Sequence, residues 1–157
     1  MRSAKINIWL IMDGKRGHEK QSEDLVQALQ NLVGIEVTKM DGKFLKPFIS
    51  KLLRLFNFDS IKKPDLIIGT GHATHLHMIF SKILNGGKTV VIMKPSLPHS
   101  WFDLCLIPKH DGVPEKPGIF LTNGAINNLE NEKKHNNSKG LIVLGGKSKH
   151  CLLYTSD

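Results

Sequence analysis

Ile6-Asn7-Ile8-Trp9-Leu10-Ile11-Met12 runs without a break into Asp13-Gly14-Lys15-Arg16-Gly17-His18, and this join decides the fold. The apolar run is too short to cross a membrane. Asp13 follows it with no small-residue cleavage site, so it reads as a cytosolic strand and not as a signal peptide. The two glycines let the backbone turn tightly. The segment beyond, from about His18 to Val33, carries Leu25, Val26, Leu29, Leu32 and Val33 on one face of a helix. Strand, glycine turn and helix in that order open a parallel α/β sheet.

The alternation continues down the chain. Ile35–Met40, Asp65–Gly69, Thr89–Met93, Leu104–Pro108, Ile119–Thr122 and Leu141–Leu144 read as further strands. Helices are expected at Leu45 to Phe58 and Ala73 to Leu84. Continuous apolar strands separated by helical segments predict a Rossmann-like parallel sheet with helices on both faces. The sheet is expected to fill residues 1–127. Residues 128–139 are polar, with Asn-Asn, Glu-Lys and Asn-Asn-Ser clusters, and read as a linker. Residues 140–150 then read as the start of a second domain, truncated after one strand and its loop. Cys151 to Asp157 offer no element to complete that unit and look like a non-native tail, so the chain reads as an N-terminal fragment.

A chain of 157 residues with 40% hydrophobic residues can bury an ordinary core. The formal charge of +8 favours anionic partners. The basic residues are dispersed, and no run interleaves them with aromatics, which argues against a nucleic-acid partner. The two cysteines, Cys105 and Cys151, form no metal or disulfide framework, as expected in a reducing compartment.

Polar loops follow the predicted strands, all on one sheet edge, where open α/β sheets bind ligands. In the first, Gly14, Lys15 and Gly17 shape an anion-tolerant turn, and His18 is a candidate proton acceptor. A plain glycine turn with a solvent-facing His is the equal alternative. In the second, Gly69-Thr70-Gly71-His72-Ala73-Thr74-His75, backbone groups face a ligand. His72, His75 and His77 lack a carboxylate or cysteine companion, so no metal is expected there. The third, Lys94-Pro95-Ser96-Leu97-Pro98, offers Lys94 as an anion contact or is a rigid connector. In the fourth, Lys109-His110-Asp111-Gly112, neighbouring side chains on extended backbone point oppositely, and a turn is the plainer reading. Past the linker, Gly145-Gly146-Lys147-Ser148-Lys149-His150 follows the second domain's first strand, and opposed loop edges would frame an interdomain cleft.

The segment Phe44 to Phe58 sets Leu45, Phe48, Ile49, Leu52, Leu53 and Phe56 against Lys43, Lys46, Lys51 and Arg54. It is either an ordinary core-packing helix or a basic amphipathic one in peripheral contact with an anionic membrane.

Together, Asp13 to Ser22, Gly69 to His75, Met93 to Pro98, Phe102-Asp103-Leu104, Pro108 to Asp111 and Gly145 to His150 resemble the N-terminal half of the mitochondrial fission "elongated mitochondria" family. The resemblance covers Ile6 to His150 and lies closer to its bacterial members, which are classed as glycosyltransferases. It implies a GT-B-like architecture of two Rossmann-like domains facing across a cleft. It further implies transfer from a nucleotide-sugar donor to a lipid-linked or cell-surface glycan acceptor on the cytoplasmic side. His18 would be the general base, with Gly14, Lys15 and Gly17 shaping its loop. Gly145, Gly146, Ser148 and Lys149 would approach the donor diphosphate. No cofactor and no metal are implied, the nucleotide sugar being a co-substrate. A chain that stops here is expected to be inactive alone. The family name carries an alternative, a non-catalytic membrane-associated scaffold. A Rossmann oxidoreductase is disfavoured, because no GxGxxG follows the first strand and Tyr154 is the only tyrosine.

Overall fold

The computed structural model describes residues 5–42, 62–129, 138 and 140. The strand expected at Leu141–Leu144, the helix at Leu45–Phe58, most of the linker, and the loop holding Gly145, Gly146, Ser148 and Lys149 lie outside them.

The described chain forms β1 (Ile6–Met12), α1 (Arg16–Gln30), β2 (Ile35–Asp41), β3 (Leu66–Thr70), α2 (His72–Asn85), β4 (Lys88–Ile92), β5 (Leu104–Pro108) and β6 (Ile119–Thr122). Short 3₁₀ turns occupy His99–Trp101 and Lys109–Asp111. The six strands form one sheet in the order β2-β1-β3-β4-β5-β6, and every pairing is parallel. This is the Rossmann-like α/β fold that the alternation predicts.

β1 lies inside the sheet, and Ile8, Trp9, Leu10 and Ile11 are each at most 1% exposed. Alternation sends these side chains to opposite faces. Ile8 and Leu10 join Val26 of α1, Ile68 and Ile92 on one face. Trp9 and Ile11 join Met78 of α2, Ile67, Val91 and Cys105 on the other. The two helices therefore cover opposite faces, which is why β1 must be apolar throughout. Truncating one of these buried side chains to Ala would cost about 2–5 kcal/mol.

Several boundaries differ from the sequence expectation by one to a few residues. α1 ends at Gln30 and not near Val33, leaving Leu32 and Val33 78% and 43% exposed. The chain must reverse there to start β2: the N–H groups of Leu32 and Val33 both reach Leu29 O, and Gly34 O accepts the Ile6 N–H. β3 runs one residue beyond the expected Gly69, so Thr70 also belongs to the strand and not to the loop. β4 stops at Ile92, because Met93 turns into left-handed backbone with φ of 74°.

At the amino ends of the strands, Asp103 ties β4, β5 and α2 together. Its Oδ2 accepts the Thr89 N–H at 2.9 Å, the Thr89 hydroxyl at 2.9 Å and Lys82 Nζ at 2.7 Å. Lys88 Nζ reaches its Oδ1 at 3.1 Å. Burial alone would raise the carboxyl's pKa, but these donors outweigh it and hold the group well below the usual carboxylate range.

Candidate functional site

The loop after β1 leads to β2 on one side, and the helix after β3 leads to β4 on the other. The carboxyl ends of β1 and β3 therefore form a topological switch point, the place where open α/β sheets leave a crevice for ligands.

Asp13 ends β1 at that crevice and is buried, its side chain only 1% exposed. A buried carboxylate needs partners. Its Oδ1 accepts the Lys15 N–H at 2.9 Å, closing a turn over Gly14, whose φ is 78°. Its Oδ2 lies 2.7 Å from His18 Nδ1. The turn also starts α1: Lys15 O accepts the N–H groups of His18 and Glu19, and Glu19 Oε1 accepts the Gly14 N–H at 2.8 Å. One short segment thus fixes the carboxylate, the helix start and the imidazole together.

Gly71 completes the arrangement from β3. Its φ is 89°, which favours glycine, and a Cβ there would collide with His18 Nδ1 and lie 2.8 Å from Asp13 Oδ2. Thr70, just before it, is buried, and its hydroxyl pairs with that of Ser22 on α1 at 2.6 Å. Gly69 is packed under α2, where a Cβ would meet Met78 Sδ at 2.7 Å and Thr74 Oγ1 at 2.9 Å. Gly69 and Thr70 therefore hold the helices against β3, and Gly71 makes room for the His–Asp pair.

With Nδ1 engaged by a carboxylate acceptor, His18 keeps its proton on Nδ1 and presents Nε2 as the basic nitrogen. Its side chain is 22% exposed, so the imidazole is framed but reachable. Such an arrangement is chemically able to accept a proton from a hydroxyl brought to Nε2. Asp13 is the member of this candidate pair that sequence reasoning missed. The signal was an acidic residue beside the first glycine of the turn, but nothing in the spacing says that the chain folds back over five residues.

The remaining candidates separate. Gly17 lies in the first turn of α1, and nothing stands within 4 Å of a Cβ built there. Lys15 and Arg16 are exposed. Beside them, a shallow groove is lined by Met12, Gly14, Glu19, Lys39, Met40 and Asp41. Lys94 is exposed on the loop after β4.

The three histidines of α2 do not converge. His72 is exposed, and His75 turns inward to Ser96 Oγ at 3.2 Å and stacks edge-on against Phe102. Burial, with a smaller effect of His72, lowers the His75 pKa to about 4. His77 is also buried and its pKa is lowered by desolvation, partly offset by Asp41. Among the described residues no three His, Cys, Asp or Glu side chains are grouped to hold a metal. His110 lies 3.6 Å from Asp111 Oδ1, because the backbone there is a 3₁₀ turn and not extended. That exposed contact is worth little. Cys105 is fully buried, and burial pushes its thiol up to about 11, so it is a core side chain and not a nucleophile.

The family model described as "Mitochondrial fission ELM1" matches residues 16–157. The chain belongs to this family. The match includes His18, Gly71 and the loops after β4 and β5. A curated relative, "Uncharacterized protein RP120" of Rickettsia prowazekii (strain Madrid E), is 31% identical over 115 residues, covering 68% of this chain and 32% of the relative. The chain thus spans about a third of that relative's length. No solved structure matches. Among the described residues no helix is long and apolar enough to cross a membrane.

Proposed function

We propose that this ELM1-family chain supplies the acceptor side of a glycosyltransferase of GT-B-like, two-domain design. The carrying observation is the Asp13–His18 pair at the switch point, 2.7 Å between Oδ2 and Nδ1. An acceptor hydroxyl placed at Nε2 gives its proton to His18. Its oxygen forms a new bond to the anomeric carbon of a nucleotide sugar. The bond from that carbon to the diphosphate breaks, and the nucleoside diphosphate leaves with the electron pair. Asp13 stabilises the imidazolium that forms and holds the ring in place. The acceptor is a hydroxyl of a lipid-linked or cell-surface glycan, and the diphosphate belongs to the second domain, near Gly145, Gly146, Ser148 and Lys149. Backbone N–H groups and a lysine suit the charge that develops on a departing diphosphate.

The test is nucleotide-sugar binding by calorimetry on the protein encoded by the whole gene, beside its Lys149→Ala and His18→Ala variants. Donor binding lost with Lys149 but kept with His18 supports the reading and leaves His18 for the acceptor step. Absence of binding across a panel of nucleotide sugars would transfer the case to the membrane-associated scaffold.

A further inference from the structure

The loop after β4 is held at several points around one exposed side chain. Met93 takes left-handed backbone, φ 74°, unusual for a residue with a side chain. Its N–H bonds Leu106 O at 2.9 Å, and its sulfur receives Gln21 Nε2 at 3.9 Å. Pro95 is buried. Ser96 is tied to buried His75 at 3.2 Å. Between these anchors Lys94 is exposed and forms no ion pair among the described residues.

Lys109 does the same on the neighbouring strand. It is the first residue after β5, exposed and without an ion pair among the described residues, and its carbonyl accepts the Gly112 N–H at 3.2 Å. β4 and β5 are parallel, with Ile92 opposite Leu106, so Lys94 and Lys109 leave the same sheet edge from adjacent strands. Such strands lie about 4.8 Å apart. Elsewhere the ammonium groups of Lys20, Lys39, Lys62, Lys82 and Lys88 each find a carboxylate within 2.6–3.1 Å, while Lys5, Lys15, Lys63 and Lys116 form no ion pair among the described residues. At this edge Asp13 is committed to His18 and Glu19 to the Gly14 N–H, while Asp111 faces His110. Two neighbouring lysine loops with no carboxylate paired to either lysine among the described residues are open to a shared anion.

We propose that Lys94 and Lys109 seat a phosphate group carried by the acceptor. Two ammonium groups on adjacent loops can both reach one group that offers several oxygens, and lysine binds phosphate as a point charge. The seat belongs to the acceptor because it shares a sheet edge with His18: Met93 touches Gln21, which lies three residues after His18 on α1. β4 is two strands from β1, roughly 10 Å, so the phosphate and the reacting hydroxyl belong to different units of the acceptor. The identity of the acceptor rests on the transferase reading, whereas the phosphate seat is measured without it.

Inorganic phosphate titrated into the chain and followed by amide NMR shifts gives the test. Shifts are expected at Met93–Ser96 and Lys109–Gly112. The double substitution Lys94→Gln, Lys109→Gln is expected to weaken binding about tenfold, while Lys116→Gln leaves it unchanged. His18→Ala is expected to keep phosphate binding. Retained binding in the double variant, or shifts confined to other loops, overturns the seat. Vesicles of phosphatidylglycerol and of phosphatidylcholine separate the sources. Tight binding to the anionic vesicles that free phosphate does not compete assigns the lysines to a membrane surface and overturns the acceptor reading. Transfer to a phosphate-bearing acceptor that is unaffected by the two substitutions removes the acceptor's phosphate from the seat but leaves the transferase standing. Phosphate binding without nucleotide-sugar binding removes the transferase but leaves the seat.

Discussion

Asp13 Oδ2 stands 2.7 Å from His18 Nδ1, and the carboxylate's other oxygen closes the turn that places His18 on the helix. Position and tautomer are therefore set by one buried side chain. Asp13→Asn keeps the size but offers the imidazole an uncharged partner that can present N–H where the carboxylate accepted. On the proposed transferase reading, the protein encoded by the whole gene is expected to lose two to four orders of magnitude in transfer, with the fold retained. Nitrogen NMR of His18 checks the cause without an activity assay: the parent carries its proton on Nδ1, and the variant loses that preference. An unchanged Nε2 signal and unchanged transfer would remove Asp13 from the mechanism.

Gly71 tests the same pair from the other strand. Alanine there collides with His18 Nδ1 and must hold φ at 89°. Gly71→Ala is expected to displace the imidazole and to cost about 1–3 kcal/mol through backbone strain and steric conflict. Gly17→Ala is the comparison, since a Cβ there meets nothing and the residue lies inside α1. It is expected to stabilise by up to about 1 kcal/mol. Urea unfolding of the two variants checks the contrast, and equal behaviour would refute the steric account.

The inner strands β1, β3 and β4 were legible because they are buried on both faces and so carry a continuous apolar signal. Leu104–Pro108 and Ile119–Thr122 form over the very residues read from the sequence. The end of α1 was not legible, because Leu32 and Val33 continue the helical spacing while the turn into β2 leaves them exposed. The site was half legible. His18 stands out by residue type and by its place after a glycine turn. Its partner Asp13 does not, because the contact depends on dihedral angles at Gly14 and Lys15 that no periodicity encodes. Gly71 was marked as a ligand contact, and its steric role became visible only with β3 beside β1.

Asp103 predicts how the protein responds to acid. Its folded pKa is depressed, so it contributes stability above its unfolded value, near 3.9, and that contribution is lost as pH falls through the folded value. The loss therefore lies below about pH 4. Asp103→Asn removes the charge that Lys82 and Lys88 meet and is expected to cost about 1–3 kcal/mol at neutral pH. The difference between parent and variant should shrink as the parent's carboxyl is protonated. Denaturant unfolding at pH 7 and at pH 2–3 measures both, and a gap that stayed constant with pH would show that the donors do not act through the charge.

His75 governs a different window. Burial lowers its pKa from 6.5 to about 4, so between these values the unfolded chain binds a proton that the folded chain refuses. Stability must then rise with pH across that interval and level off above it. One proton corresponds to about 1.4 kcal/mol per pH unit, which gives roughly 3 kcal/mol across the window. His77 is also buried with a lowered pKa and adds to the same slope, so replacing one histidine reduces the slope without abolishing it. His75→Gln retains a group able to pair with Ser96 while removing the titration. The expected result is a stability profile between pH 4 and 6.5 that is flatter by up to one proton than that of the parent. Unfolding curves at half-unit intervals give the slope directly, and equal slopes in parent and variant would mean that His75 takes its proton as readily in the folded protein as in the unfolded chain.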